Sequence, residues 1–202
     1  MPELFEQTWW NKNLKNKSRY NDYRGWLGDL NAPSRVFIRE NIQDMGIKSI
    51  ADFGCGPCLE YIGLKENGYK FDYLGIDSCI HLKEENESKG INFINKPIEE
   101  TGLEDNSYEL SYSRHVYEHL PTYKDALTEM IRVASKYVVH IFFITPTEEE
   151  EKINYWPEEN LYHNVYQKSD IESFLNENSK VESFEWLDIT EKETAIVITL
   201  KE

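Results

Sequence analysis

An apolar run that stops in a pair of glycines limits what this chain can fold into more than any other stretch. Ile50, Ala51 and Phe53 read as a buried strand, and Gly54-Cys55-Gly56-Pro57 ends it where no side chain keeps another molecule from the backbone. Asp52 stands two residues before the first glycine. About 20 residues on, a second strand-like run, Tyr73-Leu74-Gly75-Ile76, ends in Asp77, with Ser78 beside it. A strand, a glycine turn, a helix and a second strand ending in an acid describe a nucleoside-binding βαβ unit. The acid accepts hydrogen bonds from ribose hydroxyls, and the glycines let the ligand touch main chain.

What is missing narrows the ligand. A dinucleotide site wants Gly-x-Gly-x-x-Gly with a helix N-terminus facing a pyrophosphate. The register here is Gly54-Cys55-Gly56-Pro57-Cys58-Leu59, so a leucine takes the third glycine's place, and no Gly-x-x-x-x-Gly-Lys-Ser/Thr run for a triphosphate occurs. A ligand with ribose and adenine but no phosphate fits. The segment Ala51-Asp52-Phe53-Gly54-Cys55-Gly56 resembles the first motif of class I S-adenosylmethionine-dependent methyltransferases, and Asp77 matches their ribose-binding acid. The resemblance implies S-adenosyl-L-methionine as cofactor and S-adenosyl-L-homocysteine as product. It also places Asp52, Gly54, Cys55, Gly56, Asp77 and Ser78 around the ligand.

A second block carries the same resemblance. The run from Leu103 through Asp105-Asn106-Ser107-Tyr108 to His115-Val116-Tyr117-Glu118-His119-Leu120 is similar to the fourth-strand block of small-molecule, type 11-like members of the family. Asp105-Asn106 is turn chemistry, and Tyr108 to Tyr112 can run extended. Ser113, Arg114 and His115 then fall near the carboxyl end of that strand, where open α/β sheets bind ligands. The likeness extends over residues 34–202.

Composition excludes several classes. There is no apolar run of about 18 residues and no charged-then-apolar leader, so neither a membrane span nor a secretory signal is expected. Cys55, Cys58 and Cys79 are too few for a disulfide framework and read as reduced thiols of a cytoplasmic protein. Cys55-x-x-Cys58 has no second pair at zinc spacing, and no metal site is expected. A formal net charge of −15 argues against a nucleic-acid partner, which calls for a basic face. The acidic run Glu148 to Glu151 reads as a solvated loop.

Chain order supplies the architecture. Pro33 suits a helix start, and Val36, Phe37, Ile42 and Met45 recur at helical spacing until Gly46. Strands are expected near 48–53, 72–77, 91–94, 108–112 and 137–144, with helices near 57–67, 80–89 and around Ala126, Leu127, Met130, Ile131 and Ala134. The apolar fifth strand reads as central. Ser169-Asp170-Ile171-Glu172 reads as a capping box opening a last helix. Strands near 181–189 and 194–200 share a short connection and so form an antiparallel hairpin. The expected fold class is α/β: a three-layer α/β/α Rossmann-like methyltransferase fold on a seven-stranded, mostly parallel sheet with an antiparallel C-terminal hairpin. Two parts are expected, an aromatic-rich lid or extension over 1–32 and the methyltransferase domain over 33–202.

For the chemistry, an activated methyl group mainly needs an aligned acceptor, and a hydroxyl or ammonium acceptor is helped by a base of near-neutral pKa. His115 and His119 are the candidates, one helical turn apart if the segment is a helix, with Glu118 able to orient either. The family resemblance puts an acid–small pair for adenine at Pro97 and Ile98, where proline departs from the pattern. Cys58 departs likewise, at a position where a third glycine is common. Arg24 is a candidate partner for the methionine carboxylate, and the N-terminal aromatics with Tyr155, Trp156, Tyr162, His163, Asn164 and Tyr166 form a candidate lid. The reading is a methyltransferase acting on an oxygen or nitrogen of a small molecule, with a sugar or polyhydroxylated metabolite favoured. A protein methyltransferase and a non-catalytic binding module stay open as alternatives.

Overall fold

The computed structural model describes residues 28–201. The expected N-terminal lid, Arg24 included, falls almost entirely outside the described residues. Helix α1 (Pro33–Asp44) leads into β1 (Ser49–Phe53), α2 (Leu59–Glu66), β2 (Asp72–Asp77), a 3₁₀ turn with α3 (Lys83–Ser88), and β3 (Phe93–Asn95). Next come β4 (Tyr108–Arg114), a 3₁₀ turn (Tyr117–His119), α4 (Lys124–Val133) and β5 (Ala134–Phe142). A small hairpin, β6 (Tyr155–Trp156) and β7 (Leu161–Tyr162), precedes α5 (Lys168–Glu177) and the closing strands β8 (Val181–Asp188) and β9 (Thr194–Leu200).

The sheet order is β3-β2-β1-β4-β5-β9-β8, parallel through β5, with β9 antiparallel to both β5 and β8. This is the expected architecture, and β5 lies inside it. The chain steps from β1 outward to β2 and β3, then returns to start β4 on the other side of β1. Ligands of open α/β sheets sit at that switch point, beyond the carboxyl ends of the strands. Register brings those ends level, because Phe53 pairs with Ile76 and Ser113, Asp77 with Asn95, and Arg114 with Ile141.

Each face of the sheet carries its own core. Ala51, Phe53, Val138 and Phe142 pack with Ala126, Met130 and Leu175 of α4 and α5, and Ile50, Tyr112 and Val139 pack with Ile38, Ile42 and Leu64 of α1 and α2. The buried face of α1 differs from the expected one. Val36 and Phe37 are only half-buried, whereas Ser34, Arg35 and Arg39 are buried beside Ile38 and Ile42. Polar partners accompany this face: Arg35 pairs with Glu60 and Arg39 Nη2 donates to Leu30 O, while the Arg39 side chain fits against Gly63, where a Cβ would come 2.7 Å from its guanidinium.

Three local expectations are corrected. The segment after β4 is a single 3₁₀ turn, so His115 and His119 share no helix face. Ala134 opens β5 instead of closing α4. Helix α5 starts at Lys168 with Gln167 at its N-cap and no side-chain cap, so Ser169 lies inside the helix; Asp170 accepts from Tyr123 Oη at 2.6 Å and Glu172 accepts from Trp186 Nε1 at 2.9 Å. Asp170 and Glu172 are spent on tertiary contacts.

Candidate active site

The turn after β1 is built from left-handed residues, with φ of +75° at Gly54, +53° at Gly56 and +55° at Cys58. Glycine takes such angles freely, and Cys58 adopts the conformation at the position where a third glycine was expected. Among the described residues nothing lies within 4 Å of where a Cβ on Gly56 would stand, so they leave that backbone open to a ligand. The turn is held from outside: Gly56 O accepts from Asn86 Nδ2 at 2.9 Å, and Gly54 N donates to Ile76 O at 2.8 Å. Asn86, buried on α3, escaped the sequence reading because an asparagine in a polar helix carries no periodic signal.

Asp77 ends β2 with its carboxylate clamped. Oδ2 accepts from Gly56 N at 2.9 Å and Oδ1 from Cys79 N at 2.7 Å. Burial raises its pKa, while these two N–H groups work to lower it. Two bonds leave acceptor capacity on both oxygens. Ser78 is half-buried beside it, and Asn95 Nδ2 donates to Asp77 O at 2.9 Å. After β3, Pro97 is half-buried and the Ile98 side chain enters the core.

Asp52 lies a layer below. It is 2% exposed, and its Oδ2 accepts from Tyr73 Oη at 2.6 Å. Burial and the nearby Glu60 charge push its pKa well up, with Tyr73 and Arg35 opposing. Glu60, in the first turn of α2, is buried against Arg35, and Tyr112 Oη donates to it at 3.4 Å. With an acid there and no third glycine, the helix start is a poor seat for a diphosphate. Cys55 and Cys58 are buried, free thiols, and burial raises the Cys55 pKa well above its ordinary value. Among the described residues no cluster of three or more potential ligands could hold a metal ion.

At the end of β4, Ser113 is buried and its Oγ has no hydrogen-bond partner among the described residues, while Arg114 Nε donates to Ser34 Oγ at 2.9 Å. His115 follows in the left-handed region with φ of +57°, an uncommon conformation for a side chain of this size. Its ring meets Phe143 at 5.2 Å, and its Nε2 lies 2.7 Å from Glu193 Oε1. Burial lowers its pKa, Glu193 acts to raise it, and Arg114 adds to the lowering. His119 faces the same Phe143 ring at 5.2 Å and bonds Tyr162 O through Nδ1 at 2.8 Å. Burial pushes its pKa down to about 4, so the ring is neutral at physiological pH.

The hairpin β6–β7 continues this surface. His163 meets His119 at 5.1 Å, and Trp156 lies over His163 at 4.3 Å. Tyr162 is half-buried, Tyr155 is exposed, and Asn164 and Tyr166 are buried structural residues whose side chains bond the carbonyls of Leu120 and Tyr117. Glu118 ties the pieces together: Oε1 accepts from Phe143 N at 2.7 Å and Ile144 N at 3.1 Å, and its carbonyl accepts from Asn164 N at 2.9 Å. Its role as a strut, not a partner of either histidine beside it, was not legible from spacing.

Taken together, the open backbone at Gly56, the clamped Asp77 and a helix start unsuited to phosphate fit a nucleoside ligand lacking phosphates. Comparison with known proteins identifies a matching domain and fold. The family model for a methyltransferase domain matches residues 51–142. No curated protein matches the chain in sequence. Among solved structures, 1,6-didemethyltoxoflavin-N1-methyltransferase of Burkholderia thailandensis, with bound 1,6-didemethyltoxoflavin and S-adenosylhomocysteine, is similar at 12% identity and a TM-score of 0.65, covering 92% of this chain and 85% of that one. Magnesium protoporphyrin IX methyltransferase of Synechocystis PCC 6803, with bound S-adenosylmethionine, is similar at 15% identity and a TM-score of 0.62, covering 93% and 94%. A SAM-dependent methyltransferase of Aquifex aeolicus is similar at 20% identity and a TM-score of 0.59, covering 88% and 98%. At these identities the structural likeness is one of fold, and the family match places a methyltransferase domain at residues 51–142 of the chain.

Proposed function

We propose that the chain transfers a methyl group to an oxygen or nitrogen of a small molecule. The carrying observation is the run of rings from His115 over Phe143 to His119, His163 and Trp156, which starts at the carboxyl end of β4 and reaches the surface. Ring faces of this kind pack on the C–H face of a sugar as they do on a planar ring, and a sugar or polyhydroxylated metabolite is the favoured class. Bound S-adenosylmethionine supplies the activated methyl group. Around it Asp77 holds the ribose, Gly54, Cys55 and Gly56 flank the methionine part, and Pro97 and Ile98 border adenine. Asp52 supports the turn from below, Ser78 and Ser113 line the edge, and Arg114 braces the carboxyl end of β4. Arg24 is assigned to the methionine carboxylate. His115, neutral through burial, takes the acceptor's proton, and His119 packs beside it.

The same reading divides the chain into an extension over 1–32 and a catalytic domain over 33–202. It places the protein in the cytoplasm, where free thiols stay reduced. No helix among the described residues is long and apolar enough to cross a membrane. Nucleic acid is not assigned as a partner, given the net charge of −15.

The test measures S-adenosylhomocysteine release from S-adenosylmethionine with a panel of hydroxylated and amino metabolites, a basic protein serving as the rival acceptor. Release with a small molecule, lost in His115→Gln while S-adenosylhomocysteine still binds, supports the reading. Methylation of the protein alone overturns it, and binding without release from any acceptor favours a non-catalytic module.

A further inference from the structure

Glu193 stands in the turn between β8 and β9, 78 residues from His115 in sequence. Because β9 runs antiparallel to β5, with Thr194 paired to Phe142, that turn comes back to the carboxyl edge of the sheet. A single oxygen, Oε1, faces three donors there: His115 Nε2 at 2.7 Å, Ser34 Oγ at 2.7 Å and Arg114 Nη2 at 3.4 Å. The carboxylate is 15% exposed and the imidazole 19%. Ser34 in turn accepts from Arg114 Nε at 2.9 Å, so α1, β4 and the closing hairpin meet at one point.

We infer that Glu193 is the positioning residue of a Glu193–His115 dyad, fixing His115 as the Nε2–H tautomer and leaving Nδ1 as the proton acceptor for methyl transfer. An ionised carboxylate only accepts hydrogen bonds, so the shared proton belongs to Nε2. Burial opposes charge on Glu193, but the bonds from His115 and Ser34 outweigh it and hold the carboxyl at about 2. Among the described residues the hydrogen bond of the His115 ring is the one made at Nε2. Val116, the next residue, packs onto Gly54, which ties the backbone that carries His115 to the glycine turn. In the transfer, the acceptor's O–H or N–H bond breaks and its proton passes to Nδ1. The freed electron pair forms the bond to the methyl carbon, and the carbon–sulfur pair leaves with sulfur. The imidazolium so formed donates both N–H bonds, one to Glu193, and later yields its proton to water.

This inference rests on His115 acting as base, but its test reads the imidazole itself. The charged and titratable groups around that ring are Glu193 from the hairpin, Arg114 from β4, Arg35 from α1, His119 from the 3₁₀ turn and His140 from β5. Imidazole nitrogen shifts are recorded by NMR on the full chain saturated with S-adenosylhomocysteine, from pH 5 to 9. The expected result is a neutral Nε2–H tautomer for His115. In Glu193→Gln that preference is lost and the titration midpoint falls, because a raising charge is gone, whereas Glu193→Asp restores both in part. S-adenosylhomocysteine affinity by calorimetry stays unchanged in both variants. An Nδ1–H tautomer in the unmodified protein, or an unmoved tautomer and midpoint in Glu193→Gln, overturns the dyad. Should Glu193→Gln not fold, the tautomer of the unmodified protein decides alone. A silent acceptor panel with the Nε2–H tautomer present counts against the acceptor reading and not against the orientation of His115.

Discussion

Val116 occupies the space that a side chain on Gly54 would need: a Cβ there would come within 2.5 Å of Val116 Cγ2. The glycine turn of β1 and the segment after β4 are therefore fitted to each other at their closest point. Gly54→Ala must fight both this contact and a φ of +75°. A loss of about 1–3 kcal/mol is expected in urea unfolding. Adding Val116→Ala should recover the steric part and leave the dihedral part; no recovery would mean that the contact is relieved some other way.

Asp77 joins the backbone of the glycine turn to that of the next loop. In thermal unfolding, S-adenosylhomocysteine at about 100 times its dissociation constant should add about 2.7 kcal/mol of apparent stability. Asp77→Ala should show no such gain, and NAD should give none with either protein. Equal stabilisation of the two proteins would remove Asp77 from the ribose site.

The Arg35–Glu60 pair is buried at both ends, with side chains 7% and 5% exposed. Arg35→Ala leaves a carboxylate in the core and should cost about 3–5 kcal/mol. Arg35→Met combined with Glu60→Leu removes both charges, and its unfolding midpoint should return most of the way. If the double variant is no better than the single, the pair is not where the cost arises.

Glu118 is fully buried, and burial pushes its pKa up from 4.5 to about 7, although the N–H groups of Ile144 and Phe143 act to lower it. The folded state thus holds this proton more tightly than the unfolded chain does. The stability it contributes is complete below about 4.5 and is lost as pH rises through about 7. Glu118→Gln cannot lose a proton. Denaturant titrations at pH 4.5 and pH 8 should show the variant gaining on the parent by about 3 kcal/mol between them. Parallel pH curves would contradict the shift.

His119 holds the β6–β7 hairpin to the 3₁₀ turn through its bond to Tyr162 O. His119→Ala should speed amide exchange across 155–163 and leave S-adenosylhomocysteine affinity unchanged. Because the ring stays neutral down to about 4, exchange in the parent protein should show no step near pH 6.5 from this group. Unaltered exchange would mean that ring packing alone fastens the hairpin.

The strands were legible because each is a short apolar run between turn signals, and β2 falls on 72–77 as expected. The order of the sheet followed from the family resemblance and the short C-terminal connection. Polar burial was not legible. Arg35, Arg39 and Asn86 read as solvent-facing in any periodic count, and only the distant Glu60, Gly63 and Gly56 show why they are inside. The pair His115 and His119 was found by spacing, but the helix assumed between them was wrong, since His115 takes a positive φ and a single turn follows. Glu193 was seen only as part of a connection. An antiparallel last strand necessarily returns its turn to the carboxyl edge of the sheet, and that rule is the signal that would have found it.

Gly75 sits mid-strand in β2, where no unusual dihedral calls for glycine. A Cβ there would lie 2.8 Å from Cys55 Sγ and 2.9 Å from Cys58 Sγ. One missing methyl group on one strand thus makes room for two sulfur atoms on the neighbouring turn. The three positions behave as a single volume divided among separate stretches of chain. Alanine at 75 should be admitted only in a protein that has given up bulk at both 55 and 58.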